Sequence, residues 1–122
     1  MFKIEDTTIY ITRADYGETT VSCWEDDETQ YIPSGSDTVT FALKHRQMTA
    51  GGKRYVDTEP IFKKVIPIDT MLLSFLPEDT KDLDFDEYVY DIELVHDNKP
   101  DTFINNARFI VLPEVLDYES EG

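Results

Sequence analysis

The sequence predicts an all-β domain, an antiparallel β-sandwich. Three observations point there. Apolar and polar residues alternate with a period of two, most cleanly in DTVTFALK (Asp37–Lys44) and YVYDIELV (Tyr88–Val95). Turn-forming residues recur about every ten residues and divide the chain into about seven to nine short strands. Regular alternation of strands with helices is missing, so a parallel α/β sheet is not expected.

The elements follow in order. TTIYITR (Thr7–Arg13) places Ile9 and Ile11 on one face and Thr8, Tyr10 and Thr12 on the other, and ADYGE then turns the chain. TTVSCW (Thr19–Trp24) is β-branched and aromatic, EDDE turns, and TQYIP is a short extended piece ending at SGSD. In the next strand Val39, Phe41 and Leu43 face one side and are core candidates. His45–Pro60 lacks periodicity and carries Gly51-Gly52 at its middle, so it is expected to be a long loop. Such a loop is either mobile or used for binding, and on the second reading Gly51, Gly52, Lys53 and Arg54 are candidate contact residues. Removing Ala50–Arg54 is expected to spare folding and weaken partner capture.

IFKKVIPI and MLLSFL read as two strands, apolar enough to be buried on both faces or to lie at a domain edge. Pro77 and the carboxylates after it are the chemistry of one short helical turn near residues 77–83. Tyr88, Tyr90, Ile92 and Leu94 form the apolar face of the next strand, with Leu73 and Phe75 as further core candidates. HDNKPD turns, and TFINNARFIVLP is a last strand interrupted at Asn105-Asn106. The sandwich is expected to span residues 1–115, followed by an acidic tail at 116–122.

At 122 residues the chain suits one domain, and 40% hydrophobic residues argue against disorder despite the charge. A net charge of −15 repels phosphate backbones and anionic lipid, so neither nucleic acid nor membrane is expected as a partner. Cys23 is the only cysteine, which rules out an intrachain disulfide, fits a reducing compartment, and reads as a small buried thiol. No apolar run reaches a membrane span, and MFKIEDTT does not read as a secretory signal peptide, so none is expected.

DLDFDEYVYDIE (Asp82–Glu93) nearly reproduces the ligand spacing of a calcium-binding helix–loop–helix. However, Glu87 stands where that loop needs glycine, Pro77 precludes a long entering helix, and period two follows instead of a leaving helix. No metal is therefore expected, and Asp82, Asp84 and Asp86 remain only a weak candidate set for a cation in a loop. Tyr88 stands four residues after Asp84. It fits a tyrosine corner, in which a hydroxyl at the start of the penultimate strand of an immunoglobulin-like sandwich bonds back to the upstream backbone. Tyr90 would take the inward position that antibody domains give to a cysteine. A plain core aromatic is the equal alternative for Tyr88.

His45 and His96 fall in two different turns and read as solvated. Ser22-Cys23-Trp24 lacks the glycines of a nucleophile elbow, and Gly51-Gly52-Lys53 lacks the frame of a phosphate loop. Arg46, Lys53, Arg54, Lys63 and Lys64 read as partners for acidic loops. No catalytic residue and no cofactor is expected, and the chain does not read as an enzyme.

TIYITRADYGETTVS, SGSDTVTFALK, KKVIP, LPEDTKDL and YVYDIEL, in that order, resemble small phage and prophage proteins of gut Firmicutes. Those proteins are similar to the immunoglobulin-like N-terminal domain of phage baseplate upper proteins. The likeness covers Thr8 to about Val115. The chain departs from the pattern where Ala14 and Ser36 replace glycines and where Glu87 precedes Tyr88 without a nearby glycine. The resemblance implies an immunoglobulin-like sandwich acting as a non-enzymatic tail or baseplate structural or interaction module. Its partners would be other virion proteins or copies of itself, and its place the virion after assembly in the bacterial cytoplasm. Two alternatives are an acidic DNA mimic that inhibits a host DNA-binding protein, motivated by the charge, and a calcium-dependent carbohydrate-binding sandwich.

Overall fold

The computed structural model describes residues 2–5, 7–24, 29–48 and 50–113, with residues 2–5, 47–48 and 54–58 described by backbone alone. The acidic turn at 25–28 and the tail at 116–122 lie outside the described residues. The fold is all-β with mainly antiparallel sheets. The strands are β1 (Phe2–Glu5), β2 (Thr8–Thr12), β3 (Gly17–Thr20), β4 (Cys23–Trp24), β5 (Gln30–Tyr31), β6 (Thr38–Met48), β7 (Arg54–Ile66), β8 (Leu72–Phe75), β9 (Glu87–His96) and β10 (Lys99–Leu112). One helical turn, α1 (Pro77–Thr80), precedes β9, where proline and acidic residues predict it. Among the described residues no helix is long and apolar enough to cross a membrane.

Six strands form the main sheet in the order β1-β2-β10-β9-β6-β7, with β3–β8 and β4–β5 as separate pairs. All neighbours in the main sheet run antiparallel except β2 and β10, which are parallel. Alternation along each strand sends one set of side chains inward. Val39, Phe41 and Leu43 from β6 and Tyr88, Tyr90, Ile92 and Leu94 from β9 are all buried. They meet Ile9 and Ile11 of β2, Phe109 and Val111 of β10, and Leu73 and Phe75 of β8 in one cluster. The ring of Phe75 stands edge-on to Phe41 at 5.2 Å and to Phe109 at 5.4 Å, so β3–β8 forms a second layer over the sheet. Fully burying each such side chain contributes roughly 1.5–3 kcal/mol, which makes this face the main source of stability.

Turn chemistry sets the register. Asp97 and Asn98 both adopt positive φ between paired His96 and Lys99, the tight turn that matches strand twist. β10 carries register shifts on either side of Ile104, and Asn106 at φ 52 sits in the second, where the sequence predicts an interruption. The N–H of Asn106 donates to Asp91 Oδ1 at 2.6 Å. Ala14, at φ 65, holds a left-handed position that favours glycine, and Thr80 Oγ1 fixes it by accepting its N–H at 2.9 Å.

The structure corrects two expectations about the strands. TTVSCW is not one strand: β3 pairs with β8 and β4 with β5, so the same stretch serves two sheets. Together with β1, this brings the described strands to ten. His45–Pro60 is not a long loop either. β6 and β7 form a hairpin that stays paired through Arg46↔Val56, Gln47↔Tyr55 and Met48↔Arg54. Register shifts between Leu43 and Arg46 give β7 extra residues, which break the period-two pattern and hide the strands from a sequence reading.

Candidate functional site

The sheet has two distinct ends, marked by the first and last residues of β9. At the His96 end, Tyr31 and Asp37, which flank one turn, meet His96, 59 residues beyond Asp37. Asp37 immediately precedes β6, Tyr31 ends β5 and His96 ends β9. Tyr31 Oη donates to Asp37 Oδ2 at 2.5 Å, and His96 Nδ1 donates to Asp37 Oδ1 at 2.6 Å. The N–H of Ser34 adds a third bond to Asp37 at 3.1 Å. The Asp37 side chain is only 3% exposed, whereas that of His96 is 54% exposed. The Tyr31 hydroxyl, with His96 beside it, holds the Asp37 carboxyl down to about 2. The same carboxylate, aided by Asp97, raises the imidazole above its ordinary value. His96 is therefore not simply a solvated turn residue. Residue types gave no hint of this pairing, and the only sequence signal was the Ser-x-x-Asp spacing of the turn that presents Asp37.

A pH dependence follows. Asp37 is depressed from 3.8 to about 2, so its contribution is complete above 3.8 and lost as pH falls through about 2. His96 is raised from 6.5, so its contribution is complete below 6.5 and lost as pH rises through its folded value. The pair stabilises the fold fully between pH 3.8 and 6.5. In denaturant titrations across pH, the stability gap between the wild type and His96→Gln is expected to be widest there and to narrow toward alkaline pH. Parallel profiles would contradict the pairing.

Beside this cluster lies a cleft of about 260 Å³ between the β4–β5 pair and the β9–β10 hairpin. Trp24, Tyr31 and Phe103 supply aromatic walls, Leu94 adds an aliphatic side chain, and Lys99 and Asp101 bring charge. Cys23 is buried there, and burial, reinforced by the charges of Asp101 and Asp37, pushes its thiol up to about 11. That fits a small core thiol and not a nucleophile.

The Glu87 end is built differently. β6 pairs with β9 only as far as Lys44↔Val89, and beyond that point its described partner is β7 alone. The hairpin thus continues past the sheet as a two-stranded arm. Gly51, Gly52 and Lys53 are exposed at its turn, with Gly52 at φ 82, and Arg54 opens β7. At the root of the arm, Glu87 bonds both Arg46 and Arg108, and Lys44 bonds Asp91. Lys64 bonds Asp79 and ties α1 to the edge strand. The basic residues Arg46 and Lys64 are thus internal partners of acidic segments. β7 is one edge of the main sheet, and its Val65 is 74% exposed.

Tyr88 Oη donates to the Asp84 carbonyl at 3.0 Å, and Tyr90 Oη donates to the Thr7 carbonyl at 2.5 Å. Burial, with the charges of Asp84 and Asp86, raises the Tyr88 hydroxyl, and burial pushes that of Tyr90 up to about 12. Asp82, Asp84 and Asp86 are exposed in the turn before β9, and Asp86 Oδ1 accepts the N–H of Glu87. Among the described residues no three His, Cys, Asp or Glu side chains are grouped so as to hold a metal ion. His45 lies on β6 rather than in a turn, with its ring 5.7 Å from that of Tyr88. Compared with known protein families, curated proteins and solved structures, the chain matches none.

Proposed function

We propose that this chain is a non-enzymatic interaction module of a phage tail or baseplate, an immunoglobulin-like sandwich that binds other virion proteins or further copies of itself. The observation that carries the reading is the β6–β7 arm, which continues past the sheet and presents exposed residues at its turn. An arm of this kind, next to β7 at the edge of the sheet, offers backbone groups that are unpaired among the described residues to an extended partner segment.

The sheet order supports the immunoglobulin-like part. β7, β6, β9 and β10 lie side by side while β3 and β8 share the opposite layer, as the C′, C, F and G strands face B and E in such domains. The Tyr88–Asp84 bond has the form of a tyrosine corner. Ala14 adopts the left-handed backbone where the resembled pattern has glycine. Pairing of Asp79, Glu87 and Asp91 with lysine and arginine within the chain favours this module over a phosphate-like array of free carboxylates.

The test shortens the arm. Replacing residues 47–55 by Asn-Gly closes the hairpin on the Arg46↔Val56 pair with a favoured two-residue turn. Both proteins are immobilised and exposed to a lysate of prophage-induced cells, and retained proteins are identified by mass spectrometry. The full chain is expected to retain tail or baseplate proteins, or itself, and the shortened variant at least roughly tenfold less, with unchanged circular dichroism. Equal retention, or none of any virion protein by the full chain, would contradict the proposal.

A further inference from the structure

We propose that the cleft at the His96 end is a saccharide-binding site, with Trp24 as its stacking platform and Lys99 and Asp101 as its hydrogen-bonding pair. It lies at the opposite end of the sheet from the arm and does not depend on the role proposed for the arm.

Placement of the side chains comes from the register. Lys99 and Asp101 are two residues apart on β10 and so share a face, directly opposite His96 and Leu94 of β9. All four line the cleft, together with Phe103 and the half-exposed Trp24. The volume of about 260 Å³ is below the roughly 300–1,000 Å³ of sites for drug-sized ligands, so the cleft suits a single ring-sized unit.

The chemistry selects the ligand. A pyranose has a face of C–H groups and a rim of hydroxyls, each both donor and acceptor. Such a ring calls for a flat aromatic surface beside one strong donor and one strong acceptor. Trp24 provides the surface, Lys99 donates only, and Asp101 accepts only. The opposed charges of Lys99 and Asp101 favour a neutral ligand. A cation would meet Lys99 and the raised imidazole of His96, and an anion would meet Asp101 on a chain of charge −15. The nitrogens of His96 face Asp37 and Asp97, at 2.6 and 3.3 Å, so His96 shapes the wall rather than contacting the sugar.

Trp24 is the only tryptophan, so its emission reports directly on the site. The labelled full chain is applied to an array of bacterial cell-wall and capsular glycans, in calcium and in EDTA. The strongest binder is then titrated against Trp24 fluorescence and by calorimetry. Saturable binding that survives EDTA is expected. It should weaken roughly tenfold or more in Trp24→Ala and several-fold in Asp101→Asn, with both variants melting as the wild type does. No bound glycan, or binding that both variants retain in full, would overturn the proposal. Binding abolished by EDTA would overturn it as well.

Discussion

Replacing Ile92 by aspartate is expected to leave the chain unfolded at 25 °C. Ile92 is 2% exposed and lies at the centre of β9, opposite Phe41 of β6 and Ile104 of β10. The change removes roughly 1.5–3 kcal/mol of burial and forces an unpaired carboxylate into the core, at a further cost of several kcal/mol. Domains of this size hold a total margin of about 5–15 kcal/mol. Circular dichroism and size exclusion should show an expanded chain without sheet signal. A soluble Ile92→Asp protein with the wild-type denaturation midpoint would mean that β9 does not face the core.

Phe41→Ala is expected to lower stability by about 3–5 kcal/mol while keeping the fold. Its ring lies 5.2 Å from those of Phe75 and Tyr90 and 6.1 Å from those of Phe62 and Phe109. It therefore joins both layers, and truncation leaves a cavity that neither layer closes without moving the other. The matched control is Val65→Ala on the exposed edge strand, expected to change stability by no more than about 0.5 kcal/mol. Urea unfolding of both variants provides the comparison. A loss under about 1 kcal/mol for Phe41→Ala would show that the β3–β8 layer does not rest on it.

The core was legible in the sequence because alternation on a half-buried strand is a direct imprint of packing. Val39, Phe41 and Leu43, and Tyr88, Tyr90, Ile92 and Leu94, lie buried where that pattern predicts, whereas Val89, on the other face of β9, is buried against it. The turn at Asp97-Asn98 and the interruption at Asn106 were also legible, because positive φ selects particular residue types. The arm was hidden by bulges that place His45–Pro60 out of phase with any simple repeat. The Tyr31–Asp37–His96 cluster and the cleft beside it were hidden for another reason. The turn between Tyr31 and Asp37 is local, but its meeting with His96 and with the β9–β10 side of the cleft is long-range, and residue order carries no trace of that. The proposed likeness to baseplate domains rests on turns and strands and leaves the cleft unaddressed.

A two-layered core carrying an arm beyond its sheet makes one direct demand on backbone dynamics, which amide hydrogen exchange followed by mass spectrometry can read. Amides of Tyr88–Leu94 and Val39–Leu43, flanked by strands on both sides, should exchange slowest and only through global unfolding. Those of Arg46–Met48 and Arg54–Val56, paired only with each other, should exchange through local opening, faster by roughly tenfold or more. Equal protection along the whole β6–β7 hairpin would contradict the account, as would rapid exchange in Tyr88–Leu94.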